Sequence, residues 1–404
     1  MGEQALADLK VVEWGNFVSA PYCTKLLAEM GAEVIKIEAP NNGDESRRYG
    51  PFPDDCPDAE KSGLFLYLNT NKLGITLDPS KKTGKEILVK LLQSADIFVE
   101  NQPPDLVKEL ELDFDHFKML NSRIIVTSIA PFGQNGPYRN WKGYDINCCA
   151  LGGIARTIGY PQREPLTPPL NQGHYQAGLM AAIATLLALF ARDKNGKGIH
   201  VDISEAECWA TFHIGMGIQP FIEEGRVRKR SGHFSPHRPY PDTVLPCKDG
   251  YVCIDTPQNR QWKRFLEVMG NPQWSKDSIF EDRINTADEH WEKADAYLSE
   301  WLTGYTKEEI FDLCQRNRIP AAPVRTVEEV VKDIQLRERG YFIEIDHPIA
   351  GKLKYPGTSY QFSLTPSIVR MPAPSLGEHN QHILCNRLGF SKSDLVALRK
   401  CEVI

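Results

Sequence analysis

The stretch LKVVEWGNFVSAPYCTKLLAEMGAEVIKIE, residues 9–38, decides the fold class. Residues 9–14 form a short β-rich run. Ala20-Pro21 then leads into residues 22–30, whose apolar positions recur at helical spacing until Gly31 stops them. Residues 34–38 are a second β-rich run, and Pro40 to Asp44 reads as a loop. Strand, helix, strand in this order is a βαβ unit, and such units bind ligands beyond the carboxyl ends of their strands. The glycine pattern of a dinucleotide site is missing between strand and helix, so no dinucleotide cofactor is implied.

The alternation continues outward. Residues 74–78, 96–100 and 124–129 read as strands, and residues 81–94 as a helix with Ile87, Leu88, Leu91 and Leu92 on one face. A short helix is expected at 105–109 and another at 145–151, ended by Gly152-Gly153. A longer helix follows His174 and stops near 194–198. The strand 200–204 then leads into a helix from Glu205. After Gly225 the character changes. Residues 226–238 are basic and turn-rich, and two strands, 243–247 and 251–255, flank a Lys248-Asp249-Gly250 turn. Helices at 260–269, 291–303 and 307–317 complete a second domain. From Pro320 strands and loops return, including 341–346 and 351–353, before a terminal helix at 391–400.

Composition narrows the function classes. The 404 residues carry 47 Lys and Arg against 53 Asp and Glu, a net charge of −6. That charge is dispersed, with no basic block for nucleic acid and no basic amphipathic helix for a membrane surface. The N-terminus lacks the basic, apolar and cleavage regions of a signal peptide. The longest apolar run, residues 179–191, falls short of the roughly 20 residues needed to span a bilayer, so a cytoplasmic location is expected. The ten cysteines include no C-x-x-C pair and sit mostly among apolar neighbours, as buried reduced thiols do. His379 and His382 alone make no metal site, and no metal is expected.

Several segments occur together in a telling order: VEWGNFVSAP at 12–21, GAEVIKIE at 31–38, LNTNK at 68–72, ADIFVEN at 95–101, GQNGP at 133–137, GYD at 143–145, GIHVDIS at 198–204 and KDGY at 248–251. Taken jointly they resemble the family III CoA-transferases, the carnitine and bile-acid CoA-transferase family. The resemblance implies an α/β fold with a Rossmann-like large domain and a smaller α+β domain. Its expected boundaries are 1–205 for the large domain, 206–225 for a linker, 226–319 for the small domain and 320–404 for a return to the large one. It also implies two chains threaded through each other as an interlocked-ring dimer. Coenzyme A or acyl-CoA would be a substrate, with no cofactor bound permanently. Phe17, Val18, Ser19, Asn101 and Lys142 match positions that line CoA. Asn71-Lys72-Leu73 stands where the family commonly has Asn-Lys-Arg, and Lys108-Glu109-Leu110-Glu111 lacks the usual arginine. Charge toward the CoA phosphates is therefore reduced, and Arg47, Arg48, Lys72 and Lys108 are the candidates to restore it.

The helix mouth Gly173-His174-Tyr175-Gln176-Ala177-Gly178 holds the decisive departure. The family carries an aspartate nucleophile here, which attacks the thioester, forms an anhydride, and then holds CoA on its own carbonyl carbon. An imidazole accepts acyl groups but has no carbonyl on which to hold CoA. The α-methylacyl-CoA racemases of the same fold pair a histidine at the position of Tyr144 with an aspartate at that of His174; this chain has neither residue type. The favoured expectation is a degenerate subunit of a heteromer whose aspartate-bearing paralogue does the chemistry. That enzyme would move CoA from a succinyl-CoA type donor to a benzylsuccinate-like carboxylic acid, as in anaerobic aromatic degradation. The alternatives are a homodimer, a thioester hydrolase acting through His174, a racemase or epimerase using Tyr144 and His174, and a CoA-binding scaffold. As a purely structural helix-entry residue, the imidazole would be satisfied by backbone or by Asp145.

Overall fold

The computed structural model describes residues 4–213, 217–227 and 229–404. Its centre is a six-stranded sheet of β1 (Lys10–Trp14), β2 (Glu33–Glu38), β3 (Lys72–Thr76), β4 (Ile97–Glu100), β5 (Ile125–Ala130) and β6 (His200–Ser204). The spatial order is β3-β2-β1-β4-β5-β6, and every pairing is parallel. Parallel neighbours require crossovers. These are supplied by α1 (Ser19–Glu29), α2 (Gly63–Leu68), α3 (Lys82–Leu92), α4 (Pro104–Glu109), α5 (Phe114–Leu120), α6 (Asp145–Leu151) and α7 (Gln172–Asn195); α8 (Glu205–Phe212) leaves the end of β6. Order reverses between β1 and β4, which leaves a crevice at their carboxyl ends, where Trp14 pairs with Glu100.

Both faces of the sheet are covered, so its strands read as near-continuous apolar runs. Val12, Ile37, Phe98 and Val126 face α3, α5 and the C-terminal residues Ile383, Leu384 and Leu398. Val11, Val34, Val99 and Ile125 face α1 and α7, through Cys23, Leu27, Ala177 and Ala181. Close approach of the two helices depends on Gly178, where an added Cβ would sit 2.6 Å from the Ser19 carbonyl oxygen. The edge strand β3 is closed by the returning chain. Asn380 accepts from the Thr76 N–H at 2.8 Å, and His379 accepts from the Gly74 N–H at 3.1 Å. An edge paired in this way offers no template for another chain.

The carboxyl ends of β1, β2 and β3 carry charge into the interior. Lys36 Nζ lies 2.7 Å from both Glu13 Oε1 and Asp44 Oδ2, and no part of these three side chains is exposed. Lys72 Nζ reaches Glu13 Oε2 at 2.9 Å, the Pro21 carbonyl at 2.8 Å and Asn69 Oδ1 at 2.9 Å. Burial by itself would raise the Glu13 pKa, but the two ammonium groups prevail and hold it at about 2. For Lys72 burial prevails, bringing the ammonium down to about 8 despite the charge of Glu13.

The chain divides into two compact units. One comprises residues up to 154, 167–225 and 337–404; the other comprises 155–166 and 226–336. The second contains the antiparallel sheet β7 (Asp242–Cys247), β8 (Gly250–Asp255) and β9 (Ala321–Pro323), packed on helices through Val252, Ile254, Phe265, Leu298 and Ile310. Three boundaries differ from the sequence reading. Segment 206–225, expected as a linker, holds α8 and the helix Gln219–Glu224 and belongs to the first unit. The return comes at Arg337 rather than 320, because β9 completes the β8 ladder. Residues 155–166 join the second unit, where Tyr160 Oη hydrogen-bonds His233 at 3.0 Å and Arg230 donates to the Tyr160, Pro161 and Arg163 carbonyls.

Lys36→Met leaves Glu13 and Asp44 buried beside an uncharged chain and is expected to lower stability by about 3–5 kcal/mol, measured by urea unfolding. Because the folded Glu13 pKa is depressed to about 2, its contribution is fully present above the unfolded value of about 4.3 and is lost as pH falls toward the folded one. The stability margin of wild type over Glu13→Gln should shrink across that window.

Candidate active site

Helix α7 opens after two residues in the left-handed region, Leu170 and Asn171, with φ of 64° and 56°. The turn aims the Gly173 N–H at Asp145 Oδ1, 2.8 Å away at the start of α6. Only glycine fits at 173. An added Cβ would meet Asp145 Oδ1 at 2.1 Å and Trp209 Nε1 at 2.3 Å. The buried indole N–H of Trp209 lies on the same side and helps hold the Asp145 carboxyl pKa down against the rise that burial causes.

The next residue, His174, hydrogen-bonds a different carboxylate. Its Nδ1 lies 2.8 Å from Glu205 Oε1, with 13% of the imidazole side chain and 4% of the carboxylate side chain exposed. Glu205 is the first residue of α8, so β6 delivers it to the carboxyl edge of the sheet. Its other oxygen faces Cys148 Sγ at 3.7 Å. Burial alone would lower the His174 pKa, but the hydrogen bond and charge of Glu205, aided by Asp145, raise it above the ordinary histidine value. Burial raises the Asp145 carboxyl, against the opposing pull of His174 and the Gly173 N–H. A carboxylate on Nδ1 keeps the proton there and leaves Nε2 with its lone pair.

The β1–α1 turn forms the adjoining wall. Phe17 stands edge-on to the His174 ring, with centroids 5.5 Å apart. It holds a φ of 64° because its N–H is fixed on Asp44 Oδ1 at 3.0 Å. Asn101, at the end of β4, grips the same turn. Its Oδ1 accepts from the Asn16 N–H at 2.8 Å, and its Nδ2 donates to the Asn16 carbonyl at 2.8 Å and Ser19 Oγ at 3.1 Å. Asn101 thus shapes the turn with all of its amide. Val18 and Ser19 are buried beneath it.

The cations read as phosphate ligands separate into two groups. Arg47 and Lys72 are corrected: both are buried and fully engaged. Arg47 binds Glu38 at 2.7 Å, Glu60 at 2.9 Å and the Pro374 carbonyl at 3.0 Å, and Lys72 belongs to the Glu13 cluster. A buried positive side chain needs internal compensation, so neither is free for a ligand. Arg48, Lys108 and Lys142 are exposed. Lys108 lines a cavity of about 310 Å³ with Arg139, Gln134 and His200. Of the candidate cations, Arg48, Lys108 and Lys142 present their charge at the surface. Tyr144 is 70% exposed, and its backbone caps α6: its N–H donates to Asn147 Oδ1 at 3.0 Å and its carbonyl accepts from the Asn147 and Cys148 N–H groups at 2.9 and 3.1 Å. Glu205 and Trp209 escaped the sequence reading; the available signal was a carboxylate one residue beyond a parallel strand.

A doubly wound parallel sheet with an imidazole–carboxylate pair beside its switch point defines an α/β protein of nucleotide-binding architecture. The family model for CoA-transferase family III matches residues 6–380, and the chain belongs to that family. It is 30% identical to the succinyl-CoA–L-malate CoA-transferase beta subunit of Chloroflexus aurantiacus, over 99% of this chain and 98% of that one. It is 29% identical to the succinyl-CoA:(R)-benzylsuccinate CoA-transferase subunit BbsE of Thauera aromatica, over 94% of each. Among solved structures, a CaiB/BaiF family protein from Brucella suis superposes with a TM-score of 0.84 at 28% identity, covering 95% of this chain and all of that one.

Arg47→Ala should lower the melting temperature. Arg48→Ala should leave it unchanged and weaken CoA binding, with thermal unfolding and calorimetry separating the two effects.

Proposed function

We propose that this chain is the subunit of a heteromeric family III CoA-transferase that does not itself carry CoA. The carrying observation is His174 at the mouth of α7, where the family resemblance calls for a nucleophilic aspartate. The imidazole is engaged by Glu205 at 2.8 Å, and unlike an aspartate it has no carbonyl carbon of its own on which the departing thiolate could be held. The aspartate-bearing partner performs the exchange, taking CoA from a succinyl-CoA type thioester and giving it to a carboxylic acid of the benzylsuccinate type, as in anaerobic aromatic degradation. Two relatives named above are, by name, subunits of succinyl-CoA-dependent transferases, which supports this donor class.

The surface of α7 suits such a partner. Its small-residue face, Ala177, Ala181, Ala182 and Ala188, is buried. The opposite stripe of Leu179, Ile183, Leu186, Leu187 and Phe190 is exposed, up to 64% at Leu187. This spacing of three and four residues forms one continuous apolar face, larger than scattered surface residues account for. By length and composition α7 is also apolar enough to cross a bilayer, but a helix with one face built into a protein core is better covered by another subunit. An interlocked dimer of related chains in the cytoplasm accounts for both faces.

The chain purified alone should exchange no CoA between succinyl-CoA and alkyl- or aryl-substituted succinates, whereas the chain co-expressed with an aspartate-bearing paralogue should do so. His174→Ala should leave transfer by that complex within a few-fold. Robust transfer by the lone chain, abolished in His174→Ala, would sink the proposal.

A further inference from the structure

Three other histidines of the chain, His347, His233 and His200, are built differently from His174. His347 shows what a structural imidazole looks like in this chain. Its Nε2 meets the Ala373 carbonyl at 3.1 Å, and its Nδ1 accepts from the N–H groups of Ile349 and Ala350 at 3.1 and 3.0 Å. His233 likewise has both nitrogens bound, by Tyr160 at 3.0 Å and Asp295 at 2.7 Å. His200 packs on Phe114 and bonds Ser128 at 3.0 Å. His174 differs in kind. One nitrogen is fixed on a buried carboxylate at 2.8 Å, the other has no hydrogen-bond partner among the described residues, and the ring keeps contact with solvent. This is the arrangement of a general base with an orienting acid.

We infer that the chain hydrolyses acyl-CoA thioesters at this site, with His174 as general base toward water and Glu205 as the residue positioning it. The inference rests on the preceding reading only in that an acyl-CoA reaches the mouth of α7. The water oxygen bonds to the thioester carbonyl carbon as its proton passes to His174 Nε2. The tetrahedral adduct then breaks its C–S bond, and the imidazolium returns the proton to the leaving sulfur. The products are a carboxylic acid and CoA thiol; nothing is oxidised or reduced. A family nucleophile at 174 would recapture the thiolate, but an imidazole leaves the acyl group to water. The titratable groups around the ring are Glu205 from α8 and Asp145 and Cys148 from α6. Burial holds the Cys148 thiol protonated well above the usual range, so the two carboxylates set the charge around the base.

The test uses the full chain with succinyl-CoA and no acceptor acid. Thioester loss is followed by ultraviolet absorbance, because Cys56 and Cys401 are exposed and would react with a thiol reagent. Turnover is expected, with one ¹⁸O from labelled water in each succinate released. His174→Asn should lower kcat by about 10²–10⁴-fold, the range of general-base catalysis. The wild-type rate should rise with pH as the imidazole deprotonates, with a midpoint above that of an ordinary histidine. Glu205→Gln should lower kcat at unchanged KM and move the midpoint to lower pH, which a purely structural defect would not do. If His174→Asn fails to fold, the Glu205→Gln midpoint decides. No thioester loss above the buffer control, an equal rate in folded His174→Asn, or an unmoved midpoint in Glu205→Gln each overturns the inference. Loss of hydrolysis with transfer intact in the co-expressed complex would leave the transferase reading standing.

Discussion

An ammonium group without solvent contact holds the functional end of this protein together. Lys36 projects from β2 between Glu13 of β1 and Asp44 of the following loop, 2.7 Å from each. A buried charge is tolerated only when paired and hydrogen-bonded, so the loop must return over the strand end to bring Asp44 within reach. Once there, Asp44 turns its other oxygen to the Phe17 N–H at 3.0 Å and the Ser46 N–H at 2.8 Å. Phe17 is thereby kept in a left-handed conformation, with its ring against His174. Charge compensation on one strand thus reaches the candidate catalytic group through three contacts.

The same turn is clamped from the other side of the topological switch. Asn101 follows β4, which is far from β1 in sequence and next to it in space. Its amide binds the Asn16 backbone as another strand would. The switch-point crevice is therefore bordered by a turn that Asp44 and Asn101 hold independently. Rigidity here serves whichever chemistry the site performs, because a base or a CoA thioester must be positioned to within a fraction of an ångström.

Much of this was legible in the chain. Residues 10–14 and 33–38 are strands because β-branched runs suit a sheet buried on both faces, and residues 19–29 form the helix between them. The mouth of α7 was marked by glycine, histidine and a small-residue run. What stayed hidden depended on distant contacts. The three-residue β9 has no pattern of its own and exists because β8 offers it a ladder. Segment 155–166 joins the second unit through Arg230 and His233, more than sixty residues away. Arg47 and Lys72 looked like ligand cations, because a sequence does not say whether a charge faces solvent or a buried glutamate.

The sequence by itself determined the alternation of strands and helices, the family, and the presence of an imidazole at position 174. These follow from local periodicity and residue identity, which need no partner to be read. Only the tertiary structure decided what that imidazole is. Thirty-one residues separate His174 from Glu205, and no local pattern links them. They meet because β6 ends where α7 begins, and a hydrogen bond across that junction fixes one ring nitrogen on a buried carboxylate.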